Sequence, residues 1–583
     1  MRDLFKILAT RFQLSYGFYD ALNSGYTRHD LRADVMAGLT VGIVAVPLAM
    51  ALAIASGVPP QYGLYTSIVA GMLTAFFGGS RLSVAGPTAA FVVILHPIAS
   101  KYGAGGLLIS TMMAGFILLF MGIARVGRLI EFIPYPVTTG FTAGIGVVIA
   151  TLQIKDFFGL KLPASGEHFL DKLAVILTHL HTFSATDLGI GLLTLAVLIG
   201  WARRSSQIPA HLVALTVGTL CALLLARAFE DFEVATIASR FSWALGDVTG
   251  RGIPPVAPFP VLPWNFPGAD GAPMTLNFRV IRELFPSAVA IALLGAIESL
   301  LCAVVADGMA GTKHDPNSEL IGQGIGNIVV PFFGGIAATG AIARTATNIR
   351  AGAKSPLASI IHAVVVLVAV VSLATVLNQV PMAALAALLL ITAWNMSEAR
   401  HFVHILRVAP RSDVVVLLTC FLLTVVFDMA IAVTVGVLLA AILFMRRMAE
   451  ISQMRLMDDE SHPVMQEPLP KNVRLYEIAG PLFFGAAEKA MSTLLRTDKN
   501  VDVVVLYLGG VPTMDMTGLT ALETAIKHLH MRKVFVVLAA VQPQPAELMQ
   551  RAGLEEIPAK LIMTTTLDEA LAHARLKAQA ESA

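Results

Sequence analysis

Two short stretches of this sequence could do chemistry through backbone geometry rather than through charged side chains. Phe76-Phe77-Gly78-Gly79 recurs as Phe332-Phe333-Gly334-Gly335, and each copy is followed at once by residues suited to starting a helix. After the first copy an extended stretch, Leu82–Ala85, leads to Gly86 and Pro87, and proline suits the first turn of a helix. After the second copy Thr339 is an acceptable N-cap residue. A helix that begins inside a membrane leaves free N–H groups and the positive end of its dipole facing a cavity. Two such ends could bind a carboxylate, sulfate or bicarbonate without many charged side chains. The competing reading is a pair of ordinary Gly/Pro kinks, which membrane helices tolerate. The matching positions of the two copies favour a site.

Two charged residues stand near these stretches. Arg344 lies about one turn into the second helix, where a cation at membrane depth faces a cavity or a partner. Its role would be to attract or grip an anion, unless a neighbouring carboxylate holds it or it snorkels to an interface. Glu298 sits mid-span in Ala290–Leu301 and is the candidate for loading and releasing a proton alongside the anion. The alternative is a structural acid, permanently protonated or paired with Arg344. Arg81 is a weaker candidate in a loop, Asp307 reads as interfacial, Asp428 as solvated, and His96 and His362 as structural. Pro47 would kink the first span and free a carbonyl beside the site.

The elements that must position these residues follow from composition. Of 583 residues, 56% are hydrophobic and 14% charged, with mean hydropathy +0.74, whereas a soluble domain carries about 25% charged residues. Apolar runs recur from Met36 to Phe444, and about 20 such residues suffice to cross a hydrocarbon core about 30 Å thick as a helix. An outer-membrane barrel would show short alternating segments instead. We read about fourteen spans, near 36–57, 59–77, 87–101, 105–124, 135–153, 187–202, 208–228, 284–306, 319–333, 341–353, 356–378, 380–397, 412–429 and 430–446. The third and tenth are too short to cross, as half-helices in an inverted repeat of seven plus seven spans would be.

Positive charge gathers before the first span (Arg2, Lys6, Arg11, Arg28, Arg32). It returns in alternate loops at Arg125 and Arg128, Arg203 and Arg204, Lys313, Arg400, Arg407 and Arg411, then Arg446 and Arg447. The positive-inside rule places these loops and both termini in the cytoplasm, and the polar stretch near 230–282 outside. The N-terminus shows no pattern of a removable signal peptide. Cys221, Cys302 and Cys420 lie in apolar runs and imply no disulfide framework or metal site. No Walker-type phosphate loop, zinc ligand set or nucleophile–His–acid constellation is present, so neither ATP drive nor an enzyme is expected. No cofactor, metal or nucleic acid is expected either. After Arg447 the composition changes. Apolar strands (Val503–Leu508, Val534–Leu538) alternate with amphipathic segments (Leu519–His530, Pro545–Ala552), the rhythm of a small α/β domain. The domains read as 1–35 cytoplasmic segment, 36–447 membrane domain, 448–472 linker and 473–583 soluble cytoplasmic domain.

The sequence resembles the sulfate permease (SulP) family of anion transporters. The likeness is carried by Pro47-Leu48-Ala49-Met50-Ala51-Leu52-Ala53, by Gly57–Tyr65, by Ser83–Ala89 and by Gly295–Ser299 with its acid. The resemblance implies an all-α membrane protein with a 7+7 inverted repeat. A core (spans 1–4 and 8–11) would move as an elevator against a gate (spans 5–7 and 12–14), commonly in a homodimer. It places the anion between Ala85, Gly86, Pro87, Thr88 and Ala89 on one side and Thr339, Gly340, Ala341 and Arg344 on the other. In sodium-coupled bicarbonate members the eighth-span acid helps to bind sodium. Here Cys302 stands one turn after Glu298 in place of a hydroxyl residue, which favours proton coupling. Gly295–Ala306, Gly308–Lys313 and Trp394–Ala399 look most similar to bacterial C4-dicarboxylate transporters of the family, implying uptake of succinate, fumarate, malate or aspartate. Leu48, where many sulfate permeases have Gln, would give an apolar lining suited to a carbon-backboned acid.

The C-terminal domain resembles STAS domains through Thr513-Met514-Asp515-Met516-Thr517-Gly518-Leu519. In soluble relatives a Ser or Thr at the place of Thr517 receives phosphate; the alternative for Thr517 is a plain helix cap. The resemblance thus implies a regulatory domain with a cytoplasmic partner. The expected function is a proton-coupled dicarboxylate symporter of the inner (plasma) membrane. A bicarbonate or sulfate carrier, a passive anion channel and a membrane-tethered sensor stand as alternatives.

Overall fold

Lipid forces every backbone polar group to find its partner within the protein, and the apolar runs meet this demand as helices. The computed structural model describes residues 14–582 apart from 129–133, 164–168, 205–207, 246–247, 428, 452, 458–468, 559 and, within 484–499, all but Ala487, Met491 and Leu494. Arg2, Lys6, Arg11 and Asp428 lie outside the described residues. The chain divides into two units, Met1–Val437 and Leu438–Ala583.

The first unit contains α1 (Tyr16–Asn23), α2 (Arg28–Ala55), α3 (Pro60–Phe77), the two-residue strand β1 (Ala85–Gly86), α4 (Ala89–Ile123), α5 (Tyr135–Phe157), α6 (Phe169–Thr178), α7 (Ala185–Ala202) and α8 (Ala210–Ala228). A hairpin of β2 (Ser242–Leu245) and β3 (Val248–Arg251) follows. The chain continues through α9 (Phe278–Ala310), α10 (Pro316–Val329), β4 (Thr339–Gly340), α11 (Ile342–Arg350), α12 (Leu357–Leu377), α13 (Met382–Ser397), α14 (Ala399–Val408), α15 (Arg411–Val426) and α16 (Met429–Ile451). Each segment expected as a span coincides with a helical segment. Nine helical runs among the described residues are long and apolar enough to cross a membrane. The short helices α6 and α14 were not expected.

Local sequence sets the boundaries. Thr27 caps α2 in a reciprocal box with Asp30, and the helix then runs on through Pro47 to Ala55. The third and fourth expected spans form one helical run, α4, interrupted at Gly103 (φ 72, ψ −174). That backbone conformation suits glycine, and the Gly268 backbone packs where a side chain would stand. Asp307 closes the last turn of α9: its Oδ2 accepts from the His314 backbone N–H at 2.9 Å and pairs with Nδ1 at 2.7 Å. Burial pulls the His314 imidazole down, but the hydrogen bond and charge of Asp307 outweigh it and hold the ring above the usual histidine range.

The helices sort into two sets by what they pack against. In the first, α4 packs on α9 and α10, α12 on α2 and α3, α10 on α3, and α11 on α9 and α2. In the second, α13 packs on α5, α7 and α8, and α15 on α5. These are the groupings that the resemblance assigns to core and gate. Within the first set each Phe-Phe-Gly-Gly turn is held by the other half of the chain. Glu319 of α10, 1% exposed, accepts from the backbone N–H groups of Gly79 and Ser80, each at 2.9 Å. Thr66 of α3 accepts from the Ile336 N–H at 2.7 Å, and its hydroxyl lies within donating distance of the Tyr62 carbonyl (2.7 Å) and the Ile336 carbonyl (3.1 Å).

The second unit is built on a five-stranded sheet in the order β5 (Gln453–Leu456), β6 (Val473–Ala479), β7 (Val503–Gly510), β8 (Phe535–Ala539), β9 (Leu561–Thr564). It is parallel except for β5, which runs antiparallel to β6 and lies inside the stretch expected as a linker. Helices α17 (Met516–Met531), α18 (Pro543–Arg551) and α19 (Leu567–Ser582) accompany it among the described residues. Alternate residues of β7 feed two cores. Val504, Leu506 and Leu508 join the α17 side, while Val503 and Val505 join the α19 side.

Glu319→Ala would leave two buried donors unpaired, at about 1–3 kcal/mol each. The full-length variant is expected to unfold several degrees below the wild type in a thermal-shift measurement in detergent, with Glu319→Gln between them.

Candidate anion site

The two Phe-Phe-Gly-Gly turns bring their continuations together. β1 and β4 pair antiparallel, with Ala85 opposite Gly340 and Gly86 opposite Thr339. So short a ladder in an apolar core survives because side chains complete it. Thr345 accepts from the Val84 N–H at 2.9 Å, Asn348 donates to the Leu82 carbonyl at 3.0 Å, and Asn327 clamps both polar groups of Ala338 at 2.8 and 2.9 Å. Beyond the strands each chain turns into its helix. The N-cap residues are Thr88 for α4 and Ala341 for α11, and neither makes a side-chain cap bond. The first-turn N–H groups of both helices therefore lack side-chain caps at the strand crossing.

This corrects two expectations. Pro87 precedes the helix instead of opening it, and its carbonyl accepts from Arg344. Thr339 is no N-cap, because it and Gly340 stay extended to pair with β1 and the helix begins only after Ala341. Its hydroxyl instead meets Ser299 at 2.7 Å and donates to the Gly295 carbonyl at 3.1 Å.

Arg344 is 2% exposed and crosses from α11 to the other half-helix. Nη2 donates to the Pro87 carbonyl at 2.6 Å, Nη1 reaches Ser67 Oγ at 3.4 Å, and Nε has no partner. Gly86 makes room for it, since a methyl group there would overlap Nη1. No ion pair among the described residues includes Arg344, so the expected pairing alternatives, Glu298 among them, are not made. A buried cation without a counter-charge is costly, by several kcal/mol or more. A small anion bound at the two helix ends would supply that counter-charge.

Glu298 is 8% exposed, and its Oε2 accepts from the Thr88 hydroxyl at 2.9 Å. Cys302 is fully buried beside Thr345 (3.1 Å) and Ser83 (3.6 Å). Leu48 is half-buried on α2, the helix against which α11 packs. Arg81 is tied to Asp20 at 2.8 Å and serves the anchorage of α1. His96 Nδ1 meets the Ala55 carbonyl at 3.0 Å, while His362 is wholly buried with neither ring nitrogen in a hydrogen bond of normal geometry. Ser67, Ser299 and Thr345 were missed, because lone hydroxyl residues in apolar helices give no signal of their own.

In the second unit Thr517 is exposed as the second residue of α17. The cap is Asp515, whose Oδ1 accepts from the Gly518 N–H at 2.8 Å, so the plain-cap alternative for Thr517 does not hold.

A polytopic helical unit with a buried, unneutralised arginine between two broken-helix ends, followed by an α/β domain, defines a membrane anion transporter. Residues 31–420 match the Sulfate permease family and 466–570 the STAS domain. The chain belongs to the sulfate permease family. It is 40% identical over 531 residues to YvdB of Bacillus subtilis (strain 168), provisionally named a sulfate transporter, covering 91% of this chain and 95% of that protein. It is 29% identical to the bicarbonate transporter BicA of Picosynechococcus, covering 88% and 89%. Among solved structures, SLC26A9 superposes with a TM-score of 0.83 at 18% identity, covering 100% of this chain and 96% of that one, a likeness of fold.

Arg344→Gln is expected to weaken anion binding by about tenfold or more on the purified full chain, the worth of a charge-assisted hydrogen bond. Arg344→Lys should fall between, keeping charge without the two-armed reach. Isothermal titration with sulfate and succinate would read both.

Proposed function

We propose that this protein is a secondary active transporter that takes up C4-dicarboxylates together with protons, by moving the first helix set against the second. The observation that carries the reading is Arg344, buried between two uncapped helix ends with no counter-charge among the described residues. Glu298, one hydrogen bond away from the first helix end through Thr88, supports a proton as the coupling ion. The dicarboxylate assignment draws on the sequence likeness around Gly295–Lys313 and Trp394–Ala399 and on the apolar Leu48. We place the protein in the inner (plasma) membrane as a homodimer with both termini cytoplasmic, its STAS domain taking a regulatory partner at the surface that bears Thr517.

A second reading is bicarbonate or sulfate transport, favoured by the names that the relatives carry. A passive anion channel would use the same site without accumulation. Liposomes holding the purified protein separate these. Labelled succinate should accumulate under an inward proton gradient, with fumarate competing, and Glu298→Gln should abolish gradient-driven accumulation. Protein that carries sulfate or bicarbonate but not succinate would overturn the substrate assignment. Uptake that only equilibrates would favour the channel.

A further inference from the structure

We propose that Thr88 is the residue through which a proton on Glu298 controls anion affinity. Its hydroxyl hydrogen serves the Glu298 carboxylate when that group is ionised, and is released to the bound anion when it is protonated. The inference rests on the proton-coupled reading above.

The position of Thr88 is unusual in what it does not do. It stands at the N-cap of α4 with extended backbone (φ −122, ψ 158), where a threonine hydroxyl ordinarily accepts from a first-turn N–H. Here it makes no such bond. It turns sideways to donate to Glu298 Oε2 at 2.9 Å. A threonine has one hydroxyl hydrogen and two lone pairs. With Glu298 ionised, that hydrogen is committed, and at Thr88 an anion arriving at the helix end meets only lone pairs beside a carboxylate. When a proton from the aqueous side bonds to the carboxylate, Glu298 becomes the donor and Thr88 Oγ1 the acceptor. The threonine hydrogen then rotates toward the anion. No covalent bond of Thr88 changes; the only new bond is the O–H on Glu298.

The other half-helix supplies the contrast. Ser299, the next residue on α9, meets Thr339 Oγ1 at 2.7 Å and accepts from the Gly340 N–H at 3.2 Å. Hydroxyls do not titrate here, so the second helix end is held constant while the first responds. The other charged and titratable groups near Glu298 are engaged differently. On α9 itself, Cys302 meets Thr345 and Ser83. On α11, Arg344 donates to the Pro87 carbonyl and reaches Ser67, keeping Nε free, and Arg350 is exposed. On α10, Glu319 holds Gly79 and Ser80. On α4, His96 meets Ala55 and Lys101 is exposed. On α12, His362 is wholly buried.

The test is anion affinity against pH on the full chain in nanodiscs, with succinate, sulfate and bicarbonate as probes. Wild-type affinity for the carried anion should fall as pH rises. Thr88→Val should lose about tenfold at low pH, one hydrogen bond to a charged group, and converge on the wild type at high pH. Thr88→Ser should restore the wild-type profile. Glu298→Gln should bind independently of pH, and adding Thr88→Val should then cost the same factor at every pH. A Thr88→Val loss that is equal at all pH values, no loss at all, or no rescue by serine would overturn the role of Thr88 while leaving proton coupling intact. A wild type whose affinity for all three probes ignores pH would sink the proton reading itself, and this inference with it.

Discussion

The pairing of β1 with β4 is the contact on which the membrane unit depends. Non-helical backbone at membrane depth survives only where protein satisfies it, and four residues of ladder cannot do so alone. The chain answers with polar side chains, most of them borrowed from the opposite half of the sequence. Thr66 and Glu319 hold the turns, while Asn327, Thr345 and Asn348 hold the approaches to the strands. Each half is completed by the other, so the two broken helices cannot be moved apart without exposing several buried donors and acceptors together.

This reciprocity explains where charge is placed. A site made of helix ends needs little formal charge, and among the described residues the unit buries one arginine, which bridges the two halves through Pro87 and Ser67. Glu298 and Ser299, adjacent on α9, contact one helix end each. Positions that could neutralise Arg344 are occupied by backbone and hydroxyl groups, which orient the guanidinium without cancelling it. Orientation without neutralisation is what a reversible anion site requires.

Much of this was legible in the sequence because the background is so apolar. Against it Arg344 and Glu298 stand out, and the doubled Phe-Phe-Gly-Gly marks both broken helices. The helix starts were misplaced by a residue or two, since Pro87 and Thr339 carry helix-starting preferences that strand pairing overrides. A two-residue strand has no periodicity to read, so the pairing itself was invisible. Ser67, Ser299 and Thr345 were hidden for another reason: hydroxyl residues in membrane helices commonly bond to their own backbone four residues back, as Thr111 and Thr424 do here. Only the fold distinguishes those from hydroxyls that build a site. In the second unit the strands and helices followed their alternation closely, but β5 is too short and polar to announce itself, and Asp515 outcompetes Thr517 for the cap.

The fixed guanidinium also has an electrical meaning. Under the proposed movement of the first helix set, Arg344 would carry its positive charge on every crossing, and the membrane voltage would act on the sum of that charge, the carboxyl and the cargo. Arg344 and an ionised Glu298 cancel in an empty core, and Arg344 cancels a monovalent anion once Glu298 is protonated, while Glu319 is common to both states. A doubly charged cargo leaves the loaded core one unit negative, and an inside-negative potential opposes its entry by about 2.3 kcal/mol per 100 mV. With a single proton on Glu298, bicarbonate and hydrogen succinate would cross without regard to voltage, whereas fully ionised succinate would have to climb against it.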